Sequence, residues 1–114
     1  GKDAMELGDY AAAIEHFTAI IDQDPDFAEA WNARATAYYM AGEFGPSIAD
    51  IGQVLTLNPR HFGALSGLAM IFEQTGRPER ALEAYRAAIA IHPNLAGAAD
   101  AIKRLESEAE GQEL

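Results

Sequence analysis

Residues 28–59 read AEAWNARATAYYMAGEFGPSIADIGQVLTLNP, and this stretch decides the fold. Apolar side chains recur at steps of three and four residues on both sides of Gly42, which is the spacing of one helix face. Gly ends a helix readily because it adopts left-handed backbone angles without Cβ strain, and Pro59 stops the second helix. The stretch therefore predicts two helices joined by a short turn. Its apolar positions are Trp31, Ala35, Tyr38, Phe44, Ile48, Ile51, Val54 and Leu55.

The same helix-ending Gly and Pro residues recur every 34 residues along the chain. The glycines in register are Gly8, Gly42 and Gly76, and the prolines are Pro25, Pro59 and Pro93. Runs of β-branched residues and strict polar–apolar alternation are absent from the sequence, so we predict an all-α fold without strands. The predicted helices lie near residues 10–23, 28–41, 44–57, 61–75, 78–91 and 95–109, with a partial helix at 1–7.

Gly-x-Tyr after one helix and Pro after the next, at this period, resembles the tetratricopeptide repeat. The resemblance covers essentially the whole chain and implies a right-handed α-solenoid of antiparallel helix pairs. The Ala-rich composition with short polar loops resembles that of bacterial members of this family. The predicted organisation is a single domain, 1–114, made of a truncated first repeat (1–25), a second repeat (28–59), a third repeat (62–93) and a C-terminal capping helix (95–110).

The repeat pattern sorts the predicted core residues by size. Small side chains let two helices approach closely, and large ones fill the gaps between neighbouring helices. The small positions are Ala13, Ala35, Ser47, Ala69, Ala81 and Ala88, and the large ones are Phe17, Trp31, Tyr38, Ile51, Phe72 and Tyr85. Arg34 departs from the family pattern, which usually has Leu at this position. Two interpretations stay open: Arg34 loosens the packing, or its aliphatic stem lies over the core.

The composition argues against several classes of function. Acidic residues outnumber basic ones 18 to 8, which leaves a formal net charge of −10. This balance argues against binding of nucleic acid or anionic lipid, because both need clustered Lys and Arg. The longest apolar stretch, near residues 65–72, is too short to span a membrane, so we expect no membrane insertion. Residues 1–57 hold 10 acidic and 2 basic residues, which would steer a basic partner to that half of the chain.

No group of residues in the sequence makes a convincing catalytic, cofactor or metal site. Cys is absent, and the three histidines lie far apart, without partners at ligand spacing. Asp22, Asp24 and Asp26 alternate around Pro25 and allow either a cation site or helix caps, of which caps are the favoured interpretation. We therefore expect neither an enzyme nor a bound cofactor or metal.

The resemblance implies that the first helix of each pair lines a concave groove. The stripe next to the core positions on these helices carries polar, small and flexible apolar side chains. Among them, Met adapts its shape to different ligands. An equally open interpretation is that Met and Tyr complete the packing and the glycines accommodate a crossing helix. The candidate peptide-binding groove consists of Met5, Glu29, Asn32, Ala33, Thr36, Tyr39, Met40, Gly63, Ser66, Gly67, Met70, Glu73 and Gln74.

The sequence leads to one main functional hypothesis and two alternatives. The main hypothesis is a non-catalytic protein–protein interaction module or scaffold that binds a peptide or helix in its groove. The first alternative is structural self-association as a homodimer, and the second is an enzyme accessory domain.

Tetratricopeptide domains that hold chaperone C-termini resemble one another in a basic clamp, where this chain has Lys2, Ala33, Gly63 and Gly67. A clamp needs charge-assisted donors, so we expect the acidic C-terminal tails of chaperones not to be partners.

The start of the chain bears on the compartment. It begins inside a predicted helix, so we expect a fragment or a processed form of a longer protein. No signal peptide is visible in the sequence. The location therefore stays open between a soluble protein of the bacterial cytoplasm and one exported to the periplasm.

Overall fold

The computed structural model describes residues 9–95 and 97–112, with side chains described as far as Glu108. This part of the chain contains six helices and no strand, so the predicted all-α fold is confirmed. None of its helices is long and apolar enough to cross a membrane. The predicted partial helix at 1–7 lies outside the described residues, as does Gly8. The helices in chain order are α1 (Tyr10–Gln23), α2 (Ala28–Met40), α3 (Phe44–Leu57), α4 (Phe62–Gln74), α5 (Pro78–Ile91) and α6 (Ala98–Gln112).

The first five helices begin and end within one residue of the predicted bounds, but the start predicted for α6 is wrong. That helix begins at Ala98, three residues later than predicted. The Leu95 N–H closes a turn onto the carbonyl oxygen of His92 at 3.1 Å, and Gly97 has a φ of +78°. A positive φ lies outside the right-handed helical region, so the helix begins only after Gly97.

The predicted glycine turns end α2 and α4 in the same way. Gly42 has a φ of +80° and Gly76 a φ of +74°, where residues with a Cβ are strained. After α2, the Gly42 N–H donates to the Tyr39 carbonyl oxygen at 3.0 Å, and the Glu43 N–H donates to that of Tyr38 at 2.9 Å. This pair of hydrogen bonds satisfies two of the last carbonyl groups of the helix, and the chain then reverses into the next helix.

The chain divides into two compact units, Gly1–Pro59 and Arg60–Leu114, called unit 1 and unit 2 below. In unit 1, α2 packs against both α1 and α3. The small residues Ala13, Ala35 and Ser47 are buried there, as predicted. The Ser47 hydroxyl also donates a hydrogen bond of 2.7 Å to the Ala35 carbonyl oxygen. This bond ties α3 to α2 without leaving the buried hydroxyl unsatisfied.

Arg34 on α2 forms an ion pair with Asp50 on α3, and the two side chains are only 15% and 6% exposed. Nε and Nη2 of Arg34 each donate to a carboxylate oxygen of Asp50 at 2.8 Å, and Nη1 donates to the Thr18 hydroxyl on α1 at 3.1 Å. The guanidinium group also lies over the rings of Trp31 and Tyr38. The hydrogen bonds to Asp50 raise the pKa of Arg34. Arg34 therefore joins α1, α2 and α3 through its charged end, a role that neither interpretation drawn from the sequence included.

In unit 2, α5 packs against both α4 and α6. Ile71 is fully buried, although it is not among the core residues predicted from the repeat pattern. Helix α6 buries its apolar face through residues such as Leu105 and leaves Glu106 and Glu108 exposed. The main cluster of buried side chains consists of Ala69, Ala81, Leu82, Ala84, Tyr85, Ala98, Ala101 and Leu105.

Candidate functional site

The first part of the candidate groove lies on α2 in unit 1, and we call it the α2 stripe. Met40 is the most exposed large apolar side chain in the described part of the chain, at 50%, and Thr36 is exposed beside it. The Thr36 hydroxyl donates back to the Asn32 carbonyl oxygen at 3.1 Å. The members of the α2 stripe are Glu29, Asn32, Ala33, Thr36, Tyr39 and Met40, of which Asn32, Ala33 and Tyr39 are half-buried.

Tyr39 combines packing with partial exposure. Its ring lies against that of Phe44 on α3, with the ring centres 5.7 Å apart and the planes tilted by 49°. Aromatic pairs at this distance stabilise a fold beyond the area that they bury. Replacing the Tyr39 side chain therefore disturbs unit 1 as well as the stripe, which makes Met40 the cleaner residue for a binding test.

The second part of the candidate groove lies on α4 in unit 2, and we call it the α4 stripe. Met70, at the centre of this stripe, is 42% exposed. A Cβ added at Gly63 would lie 3.2 Å from the ring of His61, so the absence of a side chain there leaves room for that imidazole. The members of the α4 stripe are Gly63, Ser66, Gly67, Met70, Glu73 and Gln74, of which Ser66, Gly67 and Glu73 are half-buried.

Glu73 takes part in hydrogen bonds within unit 2. One carboxylate oxygen accepts from the Tyr85 hydroxyl at 2.8 Å, and the other accepts from Arg104 on α6. The hydrogen bond to Glu73 raises the pKa of Arg104. No sequence pattern indicates this link, because Arg104 lies 31 residues further along the chain.

The histidines near the α4 stripe have structural roles. The Nδ1 atom of His61 accepts a hydrogen bond of 3.0 Å from the Ala64 N–H, so His61 caps the start of α4. The ring of His92 stacks on that of Phe62, with the centres 4.7 Å apart. Within residues 9–95 and 97–108, no three His, Asp or Glu residues lie close enough together to hold a metal ion.

The aspartates around Pro25 do not cap the start of α2. The residue at that position is Phe27, and its side chain makes no capping hydrogen bond. Asp24 instead stands at the end of α1, where its own N–H donates to the Ile20 carbonyl oxygen at 2.9 Å. The interpretation of these aspartates as side-chain caps is therefore wrong for α2.

The structure places the candidate residues in two separate units. The α2 stripe belongs to unit 1 and the α4 stripe to unit 2, while Met5 and Lys2 lie outside the described residues. The union of the stripes in one groove stays a prediction.

Comparison with known proteins defines first the class of fold and then the family. The first tetratricopeptide domain of Spaghetti (RPAP3), solved with the HSP90 peptide SRMEEVD, superposes with a TM-score of 0.89 at 23% identity, over 96% of this chain and 87% of that one. The chain is therefore a helical-repeat domain of that fold. The tetratricopeptide repeat family matches residues 1–49 and 41–96. The chain belongs to this family, whose domains are protein–protein interaction modules.

A curated relative and a second solved structure are also similar to the chain. A TPR repeat-containing protein of Rhizobium etli is 40% identical over 90 residues, which are 79% of this chain and 44% of the relative. The chain thus spans less than half the length of this curated relative. The second tetratricopeptide domain of human RPAP3, solved with the HSP70 peptide SGPTIEEVD, has a TM-score of 0.84 and 21% identity, with coverage of 93% and 88%.

The expectation that acidic chaperone tails are not partners is wrong. The two RPAP3 domains share the fold of this chain and were solved with peptides that end in Glu-Glu-Val-Asp. The expectation rested only on charged donors at four positions. A peptide also binds through apolar anchors and uncharged hydrogen-bonding groups, so missing bases at Ala33, Gly63 and Gly67 do not exclude a class of partner.

Proposed function

We propose that this chain is a non-catalytic module that binds a short peptide or helix of a partner protein through the first helices of its repeats. One observation carries the proposal. Large apolar side chains exposed in the described part of the chain are Phe27, Met40, Phe62 and Met70, and the two methionines lie on the α2 and α4 stripes. An exposed side chain of this size loses contact with water when a partner covers it, which stabilises the complex.

The chemistry of the stripes suits a peptide of varied sequence. Met is unbranched and polarizable, so it packs against apolar side chains of different shapes. Asn32, Ser66 and Gln74 carry uncharged donors and acceptors that can bind a peptide backbone. Both RPAP3 domains were solved with peptides of other proteins, which favours partner binding over the alternative of self-association.

The test begins with the selection of peptides against the full chain from a displayed random library. The two chaperone peptides SRMEEVD and SGPTIEEVD are titrated alongside the selected ones. Calorimetry then compares the wild type with Met40→Ala and Met70→Ala. Phe27→Ala is the matched control, because Phe27 is also exposed, at 46%, but lies outside both stripes.

We expect each methionine variant to weaken binding by about tenfold, which is the loss typical of a central apolar contact. Phe27→Ala should bind as the wild type does. Full affinity in the double variant Met40→Ala, Met70→Ala, with the fold intact by circular dichroism, would refute the assignment of the stripes.

A further inference from the structure

Unit 1 contains an open hollow of about 590 Å³, which shares only Met40 with the α2 stripe. It lies where the start of α1 meets the end of α2 and the turn into α3. Aromatic and aliphatic side chains form much of its surface, and two carboxylates, Asp9 and Glu43, stand among them. The described residues that line it are Asp9, Tyr10, Ala11, Ile14, Tyr38, Met40, Ala41 and Glu43.

The two carboxylates of the hollow are exposed and available. Asp9 caps α1 by accepting from the Ala12 N–H at 3.1 Å through one oxygen, which leaves its other oxygen for a further donor. Glu43 precedes α3, and its side chain makes no capping hydrogen bond. Neither Asp9 nor Glu43 forms an ion pair with a base in the described part of the chain.

The surrounding charge of unit 1 favours a cation. Residues 1–59 hold 10 acidic and 2 basic residues. One of the two bases, Arg34, is already bound to Asp50 by two hydrogen bonds of 2.8 Å. A positively charged ligand is therefore attracted to unit 1 from a distance and meets two unpaired carboxylates when it reaches the hollow.

We propose that this hollow receives a Lys or Arg side chain of the bound partner. The aliphatic stem lies against Tyr10, Ile14 and Met40, and the charged end donates to Asp9 and Glu43. A long amphipathic side chain matches both halves of the hollow, since it packs its methylene groups and keeps its charge at the rim. The inference rests on the proposed binding function and specifies the chemistry of one contact point, which adjoins the α2 stripe at Met40.

The test uses two short capped peptides that differ in one group. Acetyl-Gly-Ala-Arg-Ala-Gly-amide carries the cation, and the same peptide with citrulline in place of Arg keeps its shape without the charge. Methyl NMR of the full chain follows Ile14, which lines the hollow but belongs to neither stripe. We expect a saturable shift of the Ile14 methyl signal with the Arg peptide, and binding at least about tenfold weaker with the citrulline peptide.

Matched variants separate local recognition from general attraction. The double variant Asp9→Asn, Glu43→Gln should weaken binding of the Arg peptide by about tenfold. Asn at position 9 still caps α1, because Asn caps a helix as well as Asp does. Glu15→Gln with Asp26→Asn removes the same charge from exposed residues outside the hollow and should change the affinity little.

Three results would overturn the inference: equal binding of the two peptides, equal weakening by the two variant pairs, or no shift of Ile14. If a selected peptide still requires Met70, which does not line the hollow, in any of these cases, the proposed binding function stands while the hollow is rejected. If that peptide requires neither methionine, the binding function fails on its own evidence.

Discussion

Arg34 shows how a single residue can depart from a repeat pattern and still support the fold. A buried charge is costly unless a partner and further hydrogen bonds compensate for its lost hydration. Asp50 and Thr18 provide this compensation, and Asp50 stands 16 residues away on another helix. Repeat periodicity marks Arg34 as unusual, but it cannot identify a partner that becomes a neighbour only after the helices pack.

The variant Arg34→Leu, which restores the residue usual in the family, should therefore destabilise the protein. It leaves Asp50 buried without its cation, and we therefore expect the free energy of unfolding to fall by about 3 kcal/mol. This value is at the low end for a broken buried ion pair, because the guanidinium group is still slightly exposed. Urea denaturation followed by circular dichroism measures the loss. The double variant Arg34→Leu, Asp50→Leu should recover most of it, since an apolar pair needs no charge compensation. A double variant that is as unstable as the single one would contradict this account.

Ser47 tests the close contact between α2 and α3. Ser47→Ala removes the hydroxyl that donates to the Ala35 carbonyl oxygen, and we expect a loss of about 1 kcal/mol, the net value of one hydrogen bond. The exposed Thr56 is the matched control, because its hydroxyl bonds only within α3, to Gly52 at 2.9 Å. Thr56→Ala should leave the urea midpoint nearly unchanged or raise it, whereas an equal loss in both variants would count against a special role for Ser47.

At the scale of elements, the helices and their turns could be predicted because their signals are local. Gly42 and Gly76 end helices through their own backbone angles, and the apolar spacing around them reports the buried faces. The start of α6 could not be placed in this way. Leu95 belongs to the apolar pattern and packs on the core, yet the turn at His92 and the positive φ of Gly97 keep it out of the helix.

The turn glycines carry a prediction with an internal control. Gly42→Ala and Gly76→Ala should each cost about 1 kcal/mol of unfolding free energy, because Ala is strained at the positive φ that these turns require. Gly52 lies inside α3 with open space around an added Cβ. Gly52→Ala should therefore raise the stability by about 0.5–1 kcal/mol. Thermal and urea melts compare the three variants, and a loss of stability in Gly52→Ala equal to that in the two turn variants would contradict this explanation of the turns.

At the scale of the whole molecule, family and fold followed from the sequence, whereas partner chemistry did not. The period of 34 residues is a property of the chain itself. A binding surface depends instead on which side chains remain free after folding. Glu73 was predicted to line the groove, and the sequence did not indicate that its carboxylate oxygens also accept hydrogen bonds from Tyr85 and Arg104. The hollow at Asp9 and Glu43 likewise corresponds to no pattern in the sequence.

The net charge predicts how salt changes the rate of partner association. The chain carries −10, so an acidic peptide such as SRMEEVD approaches against repulsion, while a basic peptide is attracted. Raising the ionic strength from about 0.01 M to 0.15 M shortens the range of these forces from about 30 Å to 8 Å. Stopped-flow fluorescence of Trp31 should show faster association of any acidic ligand and slower association of any basic one. Rates that do not depend on salt would show that the net charge plays no part in the encounter.

The most direct test of the central claim is methyl NMR of the full chain with labelled methionines. The protein has three methionines, and two of them, Met40 and Met70, are the exposed centres of the α2 and α4 stripes. We predict that a selected partner peptide shifts both of these signals in a saturable, stoichiometric titration. Saturable binding that leaves both signals unmoved would contradict the assignment of the partner to the first helices of the repeats.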